Sequence, residues 1–130
     1  MSNKSIYIIL LGLLAFLSSC KKEDDADNLI TRDDYLGEWI CTENGGTTFP
    51  INITKKGISD TIIIDNFSGY GTNDPKAMAI TSGGSMNIPN QNITNTGINI
   101  YGTGIINSAT TKITMNYHAD GIEINATCIR

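Results

Sequence analysis

The stretch from Ile113 to Ile129 constrains the fold more than any other, because its alternating apolar and polar residues straddle Asp120-Gly121. Asp-Gly favours a two-residue type I′ turn, whose twist matches that of the two antiparallel strands it joins. Such a turn sets Ala119 opposite Ile122, Tyr117 opposite Ile124, Met115 opposite Ala126 and Ile113 opposite Cys128. The complementary set pairs His118 with Glu123, Asn116 with Asn125 and Thr114 with Thr127, and is polar throughout. A helix would scatter both sets around its circumference, whereas strands send them to opposite faces. Turn and pattern agree on one register, with one face for a core and one for water.

From Tyr35 onward the chain repeats this grammar in short β-prone runs. Strands are predicted over Leu36–Glu43, Thr47–Thr54, Asp60–Phe67, Lys76–Ser82, Ser85–Ile88, Gly97–Gly102, Thr110–His118 and Ile122–Ile129. Asn44-Gly45-Gly46, Lys56-Gly57, Gly83-Gly84 and Asp120-Gly121 punctuate them. Nowhere do apolar residues recur at helical spacing over three turns. Strands spaced at about 8–12 residues form a sandwich or a barrel. The expected fold is all-β, an antiparallel up-and-down meander of about eight strands. Alternation alone leaves a closed barrel and a curved open sheet both open.

The first hairpin needs a three-residue loop. With Asn44-Gly45-Gly46 closing in a left-handed glycine bulge, Cys41 faces Phe49 and Trp39 faces Ile51. A two-residue loop would turn Trp39 and Cys41 away from Phe49, Ile51 and Ile53, and burial of the single tryptophan decides for the longer loop. Pro50 has no N–H to give, so its position must go unpaired, at an edge or a bulge. Cys41 and Cys128 sit in the first and last strands on the inward parity. We expect a disulfide between them, which requires those strands to be neighbours; the alternative is two buried thiols that never meet.

The N-terminus carries a different message. Ile6 to Leu17 is a twelve-residue apolar run after Lys4, too short for a membrane-spanning helix, which needs about 20 residues. Leu17-Ser18-Ser19-Cys20 follows, a small-residue processing site of the bacterial lipobox type. Residues 1–19 therefore read as a lipoprotein signal peptide and Cys20 as the acylated first residue of the mature chain. Residues 20–34, with Lys21-Lys22-Glu23-Asp24-Asp25, read as a solvated, flexible tether, and 35–130 as the β domain. The mature chain holds 111 residues, enough for one domain. Its excess of acidic over basic residues, with Lys55-Lys56 the one basic pair in the β domain, argues against nucleic acid as a partner. The lipid is the expected membrane anchor.

Catalytic chemistry is hard to assemble from these residues. His118, the single histidine, falls on the outer parity against Glu123, a surface pair. No serine sits in a nucleophile elbow, and zinc ligation lacks both histidines and a CxxC spacing. Ser68-Gly69-Tyr70-Gly71 and Tyr101-Gly102-Thr103-Gly104 lack the following helix of a phosphate loop, and read as bends or bulges in strands. We expect no enzyme, no cofactor and no metal site.

Three resemblances extend this reading. Lys and acidic residues directly after Cys20 resemble the surface-export signal of Bacteroidetes lipoproteins, which implies the outer membrane, facing the cell exterior. Asp60-Thr61-Ile62 resembles the O-glycosylation motif of the same phylum, with Thr61 as acceptor. Tyr35-Leu36-Gly37-Glu38-Trp39, Ile62 to Gly71, Ile88-Pro89-Asn90-Gln91, Tyr101-Gly102-Thr103-Gly104 and Lys112 to Tyr117 together resemble small Bacteroidetes lipoproteins with lipocalin-like barrels. The resemblance implies that Trp39 closes one barrel end, and it implies no defined activity.

Trp39, Phe49, Ile51, Met115, Tyr117 and Ile124 are the candidate barrel lining, with Met78 and Met86 beside them; the same residues suit a packed core equally well. The expected role is a non-catalytic binding module for a small apolar or glycan-related ligand. The alternatives are a protein-interaction or accessory lipoprotein, such as a hydrolase inhibitor or a subunit of an outer-membrane assembly, and a purely structural envelope protein. The Ser-Gly-x-x-Tyr loop of lysozyme-inhibiting barrels is not matched by Ser68-Gly69-Tyr70.

Overall fold

A computed structural model describes residues 29–69 and 74–130. Cys20, the expected signal peptide and most of the expected tether lie outside the described residues. Eight antiparallel strands follow one another around a closed barrel: β1 (Gly37–Glu43), β2 (Thr48–Lys55), β3 (Thr61–Asp65), β4 (Lys76–Ser82), β5 (Ser85–Asn92), β6 (Asn99–Ile106), β7 (Lys112–Ala119) and β8 (Ile122–Ile129). Each pairs with the next, and β8 returns to β1. Closure leaves no strand edge running along the sheet, which removes the template for edge-to-edge association.

Both expected hairpin registers hold. Tyr117 faces Ile124, Met115 faces Ala126 and Ile113 faces Cys128. Trp39 faces Ile51 and Cys41 faces Phe49. The first loop reaches that register differently from expectation: the left-handed residues are Asn44 (φ 45°) and Gly45 (φ 73°), not Gly46. Gly46 N–H closes onto Glu43 C=O at 2.8 Å, so an Asn-Gly turn of the primed type carries the bend, and Gly46 is the extra residue.

Pro50 sits where β3 leaves β2. The β2–β3 ladder ends at Asn52 opposite Asp65, and Pro50 C=O accepts instead from the Asn66 amide at 2.6 Å. The missing N–H therefore falls on a local edge, as its chemistry requires.

The interior is one continuous core of buried side chains, including Trp39, Ile53, Ile62, Ile64, Ile100 and Ile113. Met78 departs from expectation. It points outward, because Ala77 and Ala79 take the inward parity of β4 opposite Ile64 and Ile62. Apolar residues occupy both parities there, so alternation gives no direction; the space left beside two inward isoleucines admits only the small methyls.

Gly102 and Gly104 also differ from expectation, since they are neither bends nor bulges. They pair regularly with Tyr117 and Met115 inside β6. A Cβ on Gly102 would lie 2.5 Å from Tyr117 Cα, so the missing side chain makes room for the Tyr117 backbone. The bulge lies instead in β5, between Ile88 and Gln91.

The chain enters through a 3-10 turn, Arg32–Tyr35, that packs on one barrel end. Asp34 caps it by accepting from Thr31 N–H at 2.7 Å, and Tyr35 is buried with its hydroxyl donating to Gly83 C=O at 2.9 Å. Residues 29–34, assigned to the tether by composition, thus include a capped turn held against the barrel. Trp39 stands just inside, its indole N–H bonded to Tyr35 C=O at 2.8 Å and the Arg130 guanidinium 4.1 Å above its ring. The tryptophan does sit at one barrel end.

Candidate functional site

The expected lining residues do converge inside the barrel, but as core. Trp39, Phe49, Ile51, Met115 and Tyr117 are buried, and Ile124 is half-buried against the same cluster. A Cβ added to Gly104 would meet Met86 and Met115 side chains, so this stretch of the interior is tightly filled. Cys41 and Cys128 are joined in a disulfide between β1 and β8. Thr61 opens β3 half-buried, its hydroxyl 3.2 Å from Ser59 Oγ.

The open space described lies on the outer wall. A groove of about 440 Å³ runs from the β2–β3 turn across β4 to β5, lined by Lys56, Gly57, Ser59, Thr61, Met78, Ile80 and Pro89. Its origin is a local failure of strand pairing. The β4–β5 ladder holds only Ile80–Asn87, Thr81–Met86 and Ser82–Ser85, and then β5 bulges at Pro89. Proline cannot donate to β4, and the gap it leaves is bridged by a side chain. Gln91 Oε1 accepts from Met78 N–H at 2.9 Å while Gln91 Nε2 donates to Met78 C=O at 2.7 Å. One amide thus stands in for a backbone partner, so the backbone stays satisfied while the wall stays open.

The groove floor is apolar, from Met78, Ile80 and Pro89, and its rim is polar. Lys56 Nζ reaches Met78 Sδ at 2.9 Å across it. Arg32 ties the turn beneath in place, donating to the carbonyls of Gly57, Ser59 and Thr61. A second, smaller hollow of about 280 Å³ lies over Ile40 and Pro50, beside Asn66. Pattern reasoning missed both because it sorts outward residues only as solvent-facing; Pro89 within a strand was the available signal.

The other barrel end is closed by the 3-10 turn Phe67–Gly69. Phe67 is buried with its ring 4.9 Å from Tyr117, and the hydroxyls of Ser68 and Tyr117 both bond the Glu43 carboxylate. Asn66, Ser68 and Gly69 are all left-handed (φ 57°, 58° and 70°), a conformation held by these bonds.

His118 is outward and directly opposite Glu123 in the β7–β8 register, as expected, although its ring makes its contact elsewhere. Its ring stacks on Tyr101 at 4.8 Å, while Glu123 accepts from the Asn116 amide at 2.7 Å. Among the described residues, no group of three or more His, Cys, Asp or Glu side chains is placed to hold a metal ion. Among the described residues, two titrations are displaced. Burial, then the charge of Asp34, pushes the Tyr35 phenol up to about 12. Hydrogen bonds to Asp65 and Asp74 raise the Lys76 ammonium. No protein-family model matches this chain, and no curated protein matches it.

Proposed function

We propose that this chain is an outer-membrane lipoprotein, anchored through an acyl group on Cys20 and facing the cell exterior, whose barrel is a non-catalytic binding module. The observation that carries the binding reading is the outer-wall groove. Its volume of about 440 Å³ suits a small ligand, and its apolar floor with a few polar rim groups is the usual make-up of such sites. The packed interior moves the binding surface from the barrel mouth to the wall between β3 and β5. A small molecule with one apolar face and hydroxyl or anionic groups along its edge fits Met78, Ile80 and Pro89 below and Lys56, Ser59 and Thr61 at the rim.

A second reading is an accessory lipoprotein that docks a protein on the same wall. It is favoured by the exposure of Met78 and Ile80 side by side on the outer face of β4. Glycosylation of Thr61 and ligand binding exclude one another, because a sugar on that hydroxyl would occupy the groove that Thr61 lines.

Native mass spectrometry of the protein from its own cells tests these readings together. Acyl mass on Cys20 and a retained small molecule, lost in Ile80→Lys, is the result expected. An unmodified Cys20 ends the lipoprotein reading. A hexose-bearing Thr61 with no retained ligand ends the groove reading.

A further inference from the structure

The two barrel ends differ in chemistry. The chain enters at the end formed by the 3-10 turn Arg32–Tyr35, the β2–β3, β4–β5 and β6–β7 turns and the end of β8. Five of the six basic residues described, Arg32, Lys55, Lys56, Lys112 and Arg130, lie here, against Asp33, Asp34, Glu38 and Asp60. The far end carries Glu43, Asp65, Asp74, Asp120 and Glu123, with Lys76 as its one basic residue. One end is close to neutral and the other is strongly acidic.

Exposed apolar side chains lean toward the entry end, with Ile122 and Tyr101 the exposed ones toward the far end. Ile58 stands 103% exposed at the tip of the β2–β3 turn, next to Lys55 and Lys56. Leu29, Ile80, Ile105 and Ile129 are exposed in the same half of the barrel, on the entering segment, β4, β6 and β8. Isoleucine at a turn tip exposed this fully has no partner in the fold, and lysines beside it suit anionic headgroups.

We propose that the entry end of the barrel rests on a lipid bilayer, with Ile58 dipping into the headgroup region and Lys56 and Lys112 facing anionic lipid, while the Lys55 ammonium is paired with Asp33 at 2.7 Å. The proposal rests on the reading that Cys20 is acylated. Cys20 lies nine positions before Leu29, and nine residues reach at most about 30 Å, so an acyl anchor keeps this end near the membrane. The acidic end would be repelled by an anionic leaflet, and the charge asymmetry therefore sets the orientation that the tether permits. A bilayer, rather than a protein, is the surface that a short lipid tether, a fully exposed apolar turn tip and nearby lysines share.

The test places a second indole in the full, cell-processed protein, at Ile58→Trp or at Ile122→Trp on the far end. Each is bound to vesicles of phosphatidylethanolamine and phosphatidylglycerol doped with a brominated phosphatidylcholine. Trp39 is buried and serves as a constant background. Loss of emission from the Ile58→Trp indole and none from the Ile122→Trp indole is expected. High salt or Ile58→Asp should release the end from the surface, the latter read as a loss of protection from limited proteolysis at the β2–β3 turn. Equal emission at both positions in protein whose mass shows the acyl group overturns the docking and leaves the lipoprotein reading standing. Protein lacking the acyl mass overturns both.

Discussion

Cys41 and Cys128 are direct register partners across the β1–β8 seam, so the disulfide joins the first strand to the last at the point where the barrel closes. That ladder holds four residue pairs, against eight between β7 and β8. A covalent link at a short seam limits the freedom of nearly the whole domain in the unfolded state, since 87 positions separate the two residues. Cys41→Ser together with Cys128→Ser should lower unfolding free energy by about 4 kcal/mol. Urea titrations with and without reductant check this: the two proteins should coincide once the wild type is reduced.

Gln91 replaces a strand partner for Met78, and its removal leaves an N–H and a C=O of β4 without their bonds. Gln91→Ala should cost about 1–3 kcal/mol and speed amide exchange at Met78. Gln91→Glu keeps an acceptor for the Met78 N–H but sets a carboxylate oxygen against the Met78 C=O, so it should not recover the wild-type stability. Hydrogen exchange followed by mass spectrometry reads both.

Gly102 has no space for a side chain, because its neighbour in β7 is backbone and cannot turn aside. Gly102→Ala should destabilise by about 1–3 kcal/mol through overpacking, at a position that sequence pattern marks as a bend or bulge in a strand. Gly121→Ala tests a different cost, since open space surrounds that position and only its φ of 83° is at stake. Thermal melts of the pair should separate crowding from backbone strain.

Tyr35 holds its proton to about pH 12, because burial and the nearby Asp34 carboxylate disfavour the phenolate. The folded state therefore binds that proton more tightly than the unfolded chain, whose tyrosines ionise near pH 10. The resulting stability is complete below pH ~10 and is lost as pH rises through about 12. Alkaline unfolding followed by far-ultraviolet circular dichroism should shift in Tyr35→Phe, which has no phenol to ionise, and the wild type should steepen over that window.

Arg130 donates to the carbonyls of Thr110, Leu36 and Asp34 at 2.9, 2.8 and 2.7 Å while its guanidinium covers the Trp39 ring. Arg130→Ala should cost about 1–3 kcal/mol, and Arg130→Lys should recover little, because a single ammonium cannot reach three carbonyls and lie flat on an indole. Denaturant midpoints for the three proteins decide it.

Period-two alternation and turn chemistry made much of the fold legible. Asp120-Gly121 set its hairpin register without help, because a primed turn and an alternating pattern allow one solution. Trp39 selected the register of the first hairpin through the need to bury it. Where apolar residues filled both parities, as in Ala77-Met78-Ala79-Ile80, local pattern had nothing to choose between. The candidate groove was illegible for a related reason: it exists because Pro89 and Gln91 meet β4 across a bulge, and the strand they face lies elsewhere in the chain.

Strand order, turn positions and the inward face of the hairpins follow from neighbours in the chain, since backbone geometry and side-chain alternation act over a few residues. Closure of the barrel, the pairing of Cys41 with Cys128 and the choice of alanine over methionine inside β4 needed the tertiary structure. Each depends on how much room residues distant in the chain leave one another, and that volume is shared by the whole interior.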